Sequence, residues 1–195
     1  MSALQSLGRT LRSLARGAAA GPIGLDIAME KLHMVQFVLD EDPPAIRAAV
    51  SLPYAGGREA LLADGKQLKA LVDRARSARP FRGASVVACL PQSDVRTIAL
   101  SYRQAPGQSE DEAVARELRE RLKEEIDDSS GDYIRIRGHD GESVEKNAVV
   151  AIARRDRVLA YLDALQSAGL QVEALDIGPA ALARLVASMG KGARY

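Results

Sequence analysis

The segment that most restricts the fold is Ala84-Ser85-Val86-Val87-Ala88-Cys89-Leu90, an almost wholly apolar run closed by Pro91. A run with no polar alternation reads as a central strand covered on both faces. Helical patterns flank it. From about Asp64, Leu68, Leu71, Val72 and Ala75 share one face, while Lys66, Lys69, Arg74 and Arg76 occupy the other. Further on, Val158, Leu159, Leu162 and Leu165 repeat at helical spacing, and Gly169 supplies a left-handed stop. Strand patterns fill the intervals: Gly24 to Gln36 reads as strand, tight turn, strand; Ile46 to Leu52 as a third strand ended by Pro53; Leu170 to Asp176 as a last one. Strands separated by helices predict an α/β architecture. A final helix, with Pro179 in its first turn, is expected to bury Leu182, Leu185, Val186 and Met189.

The middle of the chain has its own pattern. Asp94 to Leu100 reads as a strand with neither face cleanly polar. Ser109-Glu110-Asp111-Glu112 is a capping box, in which the serine and the glutamate three residues later satisfy free amides at a helix start. The helix it opens carries Val114, Leu118, Leu122 and Ile126 at four-residue spacing, with exposed charge pairs such as Glu117–Arg121. Tyr133 to Arg137 alternates apolar and basic, Gly138-His139-Asp140-Gly141 is a turn, and Asn147 to Ala153 is a further buried strand. His139 and His33 share no spacing that implies a joint site, and Asp127-Asp128 beside a Ser-Gly run marks a turn rather than a metal set.

Composition excludes several functions. A net charge of +1 gives no field to attract nucleic acid, and 4% aromatic residues with no Trp offer little stacking surface. Cys89 is the single cysteine, so no intrachain disulfide or Cys-rich zinc site is available. It reads as a small buried hydrophobe. No metal site and no catalytic residue is expected.

At the N-terminus, Leu4, Leu7, Leu11 and Leu14 alternate with Arg9, Arg12 and Arg16 in an amphipathic basic helix. It is a candidate for contact with an anionic membrane surface or a partner helix; a frayed extension and an organellar leader are the alternatives. Gly17 to Pro22 reads as a linker. The cluster Arg74, Arg76, Arg79 and Arg82 could form a phosphate or acidic-lipid patch, or simply a solvated helix end.

Gly24-Leu25-Asp26-Ile27, followed by Val35-Gln36, resembles the first phosphate loop of actin-like ATPases, and most closely the opening of PilM-type pilus assembly proteins. In that pattern the acid ends an apolar strand, where it can reach a metal-bound phosphate, and turn amides cradle the phosphate itself. Here Ala28, Met29, Glu30 and Lys31 replace the glycine and small hydroxyl residues, adding bulk and negative charge. Ser85 to Pro91 resembles the V-x-x-S-L-P segment that precedes the family's inserted subdomain. Arg154, Val158 and Tyr161 through Asp176 resemble the run that closes its first half.

The resemblance, over roughly residues 23–189, implies an actin-like (RNase H-like) mixed sheet with flanking helices and an inserted small α/β subdomain, covering the N-terminal half of the fold only. It divides the chain into an amphipathic helix and linker (1–22), a main subdomain (23–91 and 148–190) and an insertion (92–147). It implies a scaffold or adaptor of a type IV pilus or related secretion complex. Such a protein works in the cytoplasm at the inner-membrane face and binds the cytoplasmic tail of a PilN-like inner-membrane protein. Gly24 and Asp26 would be the remnant of a degenerate nucleotide site, with no cofactor expected. The alternative is an ATP- and magnesium-binding ATPase completed by a second chain.

Overall fold

The computed structural model describes residues 20–39, 45–123, 127–136 and 145–190, with side chains described as far as 186. The chain forms two compact units, one of residues up to Cys89 together with Asp163–Asp176, the other of Leu90–Leu162 and the residues from Ile177 on.

In the first unit, β1 (Ala20–Ile27), β2 (Lys31–Val38) and β3 (Ala45–Pro53) form an antiparallel meander. The strand β4 (Ser85–Leu90) joins β1 in parallel, and β8 (Gln171–Ile177) completes a five-stranded sheet ordered β3-β2-β1-β4-β8. Period two is visible in the burial. Ile23, Leu25 and Ile27 of β1, Leu32 and Met34 of β2, and Val86 and Ala88 of β4 are buried, while their neighbours Gly24, Val35 and Val87 are partly open. Thus β4 is central, as its apolar run predicts, but only one of its faces is fully covered.

Two helices fill the β3–β4 connection. The helix α1 (Gly57–Ala63) is absent from the sequence reading, which treats Gly56-Gly57 as a loosened loop end. Those glycines instead turn the chain into the helix, with φ of 84° and 77° that side chains with a Cβ rarely adopt. The helix α2 (Gly65–Ala78) starts where Asp64 accepts the N–H groups of Lys66 and Gln67 at 3.0 Å, and it buries Leu68, Leu71, Val72 and Ala75. Each of the two leucines and the valine contributes about 1.5–3 kcal/mol of burial free energy.

The second unit is a three-stranded antiparallel sheet ordered β5-β7-β6 under one helix. Its strands are β5 (Val95–Arg103), β6 (Ser129–Ile136) and β7 (Glu145–Arg154), with a 3-10 turn over Gln92–Asp94 before β5. Ile98, Leu100 and Tyr102 of β5, Ala148, Val150 and Ile152 of β7, and Tyr133 of β6 pack on Ala113, Val114, Leu118 and Leu122 of α3 (Glu110–Leu122). The capping box is present in both halves: Ser109 accepts the Glu112 N–H at 3.2 Å and Glu112 accepts the Ser109 N–H at 2.9 Å. The expected Glu117–Arg121 pair is replaced. Glu117 pairs with Arg116 at 2.7 Å, and Arg121 donates to the Ala99 carbonyl on the edge of β5.

Several expectations need correcting. Ala20, Gly21 and Pro22, read as linker, belong to β1. The strand over Asn147–Ala153 exists as β7, and its partners are β5 and β6 of the second sheet. The helix α4 (Arg155–Ser167) buries Tyr161 and Leu165 but exposes Leu159, and Gly169 follows it at φ 83° as expected. The last helix, α5 (Gly178–Gly190), buries Ala180 but not the larger residues expected: Leu182 is 62% and Val186 63% exposed, and Leu185 is also exposed. Met189, Ile126, the 138–141 turn with His139, and the basic segment 1–16 with Leu4, Leu7, Arg9, Leu11, Arg12, Leu14 and Arg16 lie outside the described side chains. Among the described residues, no helix is long and apolar enough to cross a membrane.

Candidate functional site

The first candidate is the turn between β1 and β2, where sequence places Gly24 and Asp26. Asp26 stands exposed near the end of β1, beside His33 on β2 and Cys89 on β4 in the strand register. Ligands of open α/β sheets gather at such carboxyl ends. Gly24 has a packing reason for lacking a side chain, since a Cβ there would lie 3.2 Å from a Val35 methyl group.

The turn itself is bonded to its own surroundings. The Ala28 N–H donates to the Lys31 carbonyl at 3.0 Å, the Tyr54 N–H donates to the Glu30 carbonyl at 3.0 Å, and the Tyr54 hydroxyl donates to the Ala28 carbonyl. Burial raises the Tyr54 pKa; Arg58 opposes the rise, and the negative charges of Asp26 and Glu30 add to it. An anionic tail entering here meets the Asp26 and Glu30 carboxylates together with the cationic groups of Lys31, Arg58 and Arg74, the last donating to the Pro53 carbonyl at 3.1 Å, and finds the Ala28 amide already committed. Among the described residues, no three of His, Cys, Asp and Glu converge as a metal set. Tyr54 and Arg58 were not legible as parts of this site, because a lone Tyr after a strand-ending proline carries no spacing signal.

The second candidate lies within the second unit, where the start of β5, the start of β6, the end of β7 and the start of α4 meet. They enclose an open groove of about 1010 Å³. Its lining joins Val95, Ile152 and Ala153 to Arg96, Arg154 and Arg157 and to Asp94, Asp128 and Asp156, so charged groups of both signs stand beside apolar ones. Arg154 meets Asp156 at 2.7 Å and Arg157 reaches Asp94 at 3.4 Å. The Arg154 hydrogen bond holds the Asp156 carboxyl below the usual carboxylate range, with the Arg157 N–H assisting. Arg155 anchors the rim, its N–H donating to the Asp128 carbonyl at 2.8 Å. Arg154 and Arg155 were expected to mark a junction between subdomains, and the remaining rim residues come from segments too distant in sequence to be read together.

A mixed five-stranded sheet with flanking helices, opened by an acid-ended strand and turn, defines an actin-like α/β protein. The sequence model of the type IV pilus assembly protein PilM matches residues 24–192, and the chain belongs to that family. Among solved structures, the PilM–PilN type IV pilus biogenesis complex superimposes with a TM-score of 0.65 at 26% identity, covering 81% of this chain and 47% of the matched one. The cytoplasmic domain of EpsL, an inner-membrane component of the Vibrio cholerae type II secretion system, matches with a TM-score of 0.45 at 19% identity over 80% of this chain and 57% of that one. The chain thus spans about half the length of the matched chains. No curated protein matches it significantly.

Proposed function

We propose that this chain is a scaffold of a type IV pilus assembly complex that holds the cytoplasmic tail of a PilN-like inner-membrane partner, and that it works at the cytoplasmic face of that membrane. The observation carrying this reading is the likeness to a PilM solved together with PilN, over four-fifths of this chain. The second unit's groove is the surface we assign to the tail. A lining that mixes apolar side chains with charges of both signs suits an extended peptide, and capture of a peptide needs no catalytic group. The division into a leader, a main subdomain and an insertion belongs to the same proposal, with the second sheet, whose middle strand runs to Arg154, as the insertion's frame.

The nucleotide site is degenerate in this reading. Supporting it are the committed Ala28 amide and the packing role of Gly24. The test is calorimetric titration with a synthetic peptide of a PilN cytoplasmic tail. Saturable binding that weakens about tenfold in Arg96→Glu/Arg157→Glu is expected, in keeping with loss of charged groups from an interface. Absence of binding to every such tail tried would sink the scaffold reading. The second reading, an ATPase completed by another chain, draws on Asp26 at the carboxyl end of β1. It requires saturable magnesium-ATP binding that is lost in Asp26→Ala, and flat titrations remove it.

A further inference from the structure

Among the described residues, β6 has a neighbour on one side only, because the second sheet runs β5-β7-β6. Which of its backbone groups face outward follows from the pairing with β7. The Arg155 N–H donates to the Asp128 carbonyl at 2.8 Å, so residues 128 and 155 form a hydrogen-bonded pair, and the register from Ser129–Arg154 to Ile136–Asn147 repeats that pair at every second residue. Ser130, Asp132, Ile134 and Ile136 therefore bond to β7. Gly131, Tyr133 and Arg135 turn their N–H and C=O groups to the open side. The Tyr133 N–H shows this directly: it donates to the carboxylate of its own neighbour Asp132 at 2.8 Å, where a further strand would accept it.

Side chains alternate across the same strand. Tyr133 and Arg135 lie on the face that carries α3, where the Tyr133 hydroxyl donates to Asp111 at 2.6 Å and Arg135 meets Glu110 at 3.1 Å. Asp111 thus holds a phenol but, among the described residues, no cation. Ile134 and Ile136 lie on the opposite face and are 52% and 47% exposed. The strand carries no proline that would block the addition of another.

We infer that β6 is an interface between two copies of this chain, which pair their β6 strands antiparallel about a two-fold axis through Ile134 and so join their second sheets into one. The strand itself selects both partner and register. An axis through Asp132 or Arg135 sets like charges face to face, and one through Tyr133 sets Asp132 against Ile134 and brings the two Asp111 carboxylates toward each other. An axis through Ile134 avoids all of these. It places Tyr133 opposite Arg135 of the other copy, so that their outward N–H and C=O groups exchange hydrogen bonds on both sides of the axis. It also sets Ile134 beside its own counterpart in the closer kind of cross-strand pair, and carries each Arg135 to the Asp111 that lacks a cation in its own chain. Such self-complementarity is what a two-fold dimer requires. Gly131 to Ile136 line no part of the peptide groove, so the pairing stands apart from it.

Sedimentation equilibrium of the full chain tests the pairing. A monomer–dimer equilibrium with a dissociation constant of about 10–100 µM is expected, in keeping with an interface below the standard size. Ile134→Lys sets two cations face to face at the axis and is expected to weaken it about tenfold, whereas Thr97→Lys, at an exposed position of β5, is expected to leave it within about twofold. In a Cys89→Ser background, Ile134→Cys is expected to give a disulfide-linked dimer on mild oxidation, because Cβ atoms across such a pair lie about 4.5–5.5 Å apart. Asp132→Cys is expected to give none, since its counterpart lies ~14 Å away along the strand. Circular dichroism of each variant establishes that the fold is kept. A chain still monomeric at about 1 mM, a dimer untouched by Ile134→Lys, equal weakening by the two lysines, or cross-linking through Asp132→Cys as readily as through Ile134→Cys would each overturn the inference.

Discussion

Gln36 is a polar side chain only 1% exposed inside an apolar sheet, and it survives there because all its hydrogen-bonding groups in the interior have partners. Gln36→Leu removes those partners while keeping the volume roughly constant, so the Gly21 and Arg82 backbone groups are left unpaired. Each buried orphan costs about 1–3 kcal/mol, and a loss of about 3 kcal/mol in the free energy of urea unfolding is expected. Gly131 makes the opposite case, a residue defined by what it lacks. A Cβ there would meet the Ala151 carbonyl oxygen at 2.7 Å and the Ile152 side chain at 2.8 Å. Gly131→Ala forces β6 away from β7 and is expected to cost about 1–3 kcal/mol, read from the shift in thermal midpoint. Neither role could be read from sequence. Gln36 showed as one letter of a family pattern and Gly131 as part of a polar turn, because both depend on groups brought near by pairing across the sheet.

Individual elements were more legible where their signals are local. The Ser109 capping box, the Asp64 start and the Gly169 stop each involve atoms within a few residues, and each stands where its residues predict. Ser109→Ala is expected to destabilise the second unit by about 1 kcal/mol in equilibrium unfolding. The helix α1 was missed because its seven residues are too short to show a period and its glycine start reads as a loop. The attachment of α3 to its sheet is partly phenolic. Tyr102 and Tyr133 donate to Glu110 and Asp111, the latter at 2.6 Å. Burial and the Glu110 hydrogen bond push Tyr102 up to about 12, and the Asp111 hydrogen bond with burial does the same for Tyr133. A pKa raised in the folded state favours the neutral phenol, so this stabilisation is complete below pH 10 and is lost as pH rises toward about 12. Absorbance titration of the phenolate band is expected to show Tyr102 and Tyr133 ionising late alongside the raised Tyr54, with one late step fewer in Tyr133→Phe.

At the scale of the whole molecule, the α/β class and the order of elements followed from the apolar runs and their punctuation, while the distribution of strands between two sheets did not. A buried strand pattern at Asn147–Ala153 fits either sheet, and only long-range pairing assigns it. The helix α5 shows the same limit from the other side. Its spacing is that of a buried helix, yet burial depends on a surface to pack against, and Leu182, Leu185 and Val186 are exposed. Leu182→Ala and Leu185→Ala are therefore expected to change the stability of this chain by less than about 0.5 kcal/mol, whereas Leu165→Ala, fully buried, should cost about 2–5 kcal/mol. Parallel denaturation curves of the three variants decide it. Both outcomes follow from where a helix is seated, not from how apolar it is.

The Gln36 carboxamide also has a mechanical meaning. It grips the chain at the start of β1 and hands part of any pull there to the turn that leads into β4. Tension applied at Gly21 is thereby shared with the chain at Arg82 before it can peel the first strand from the sheet.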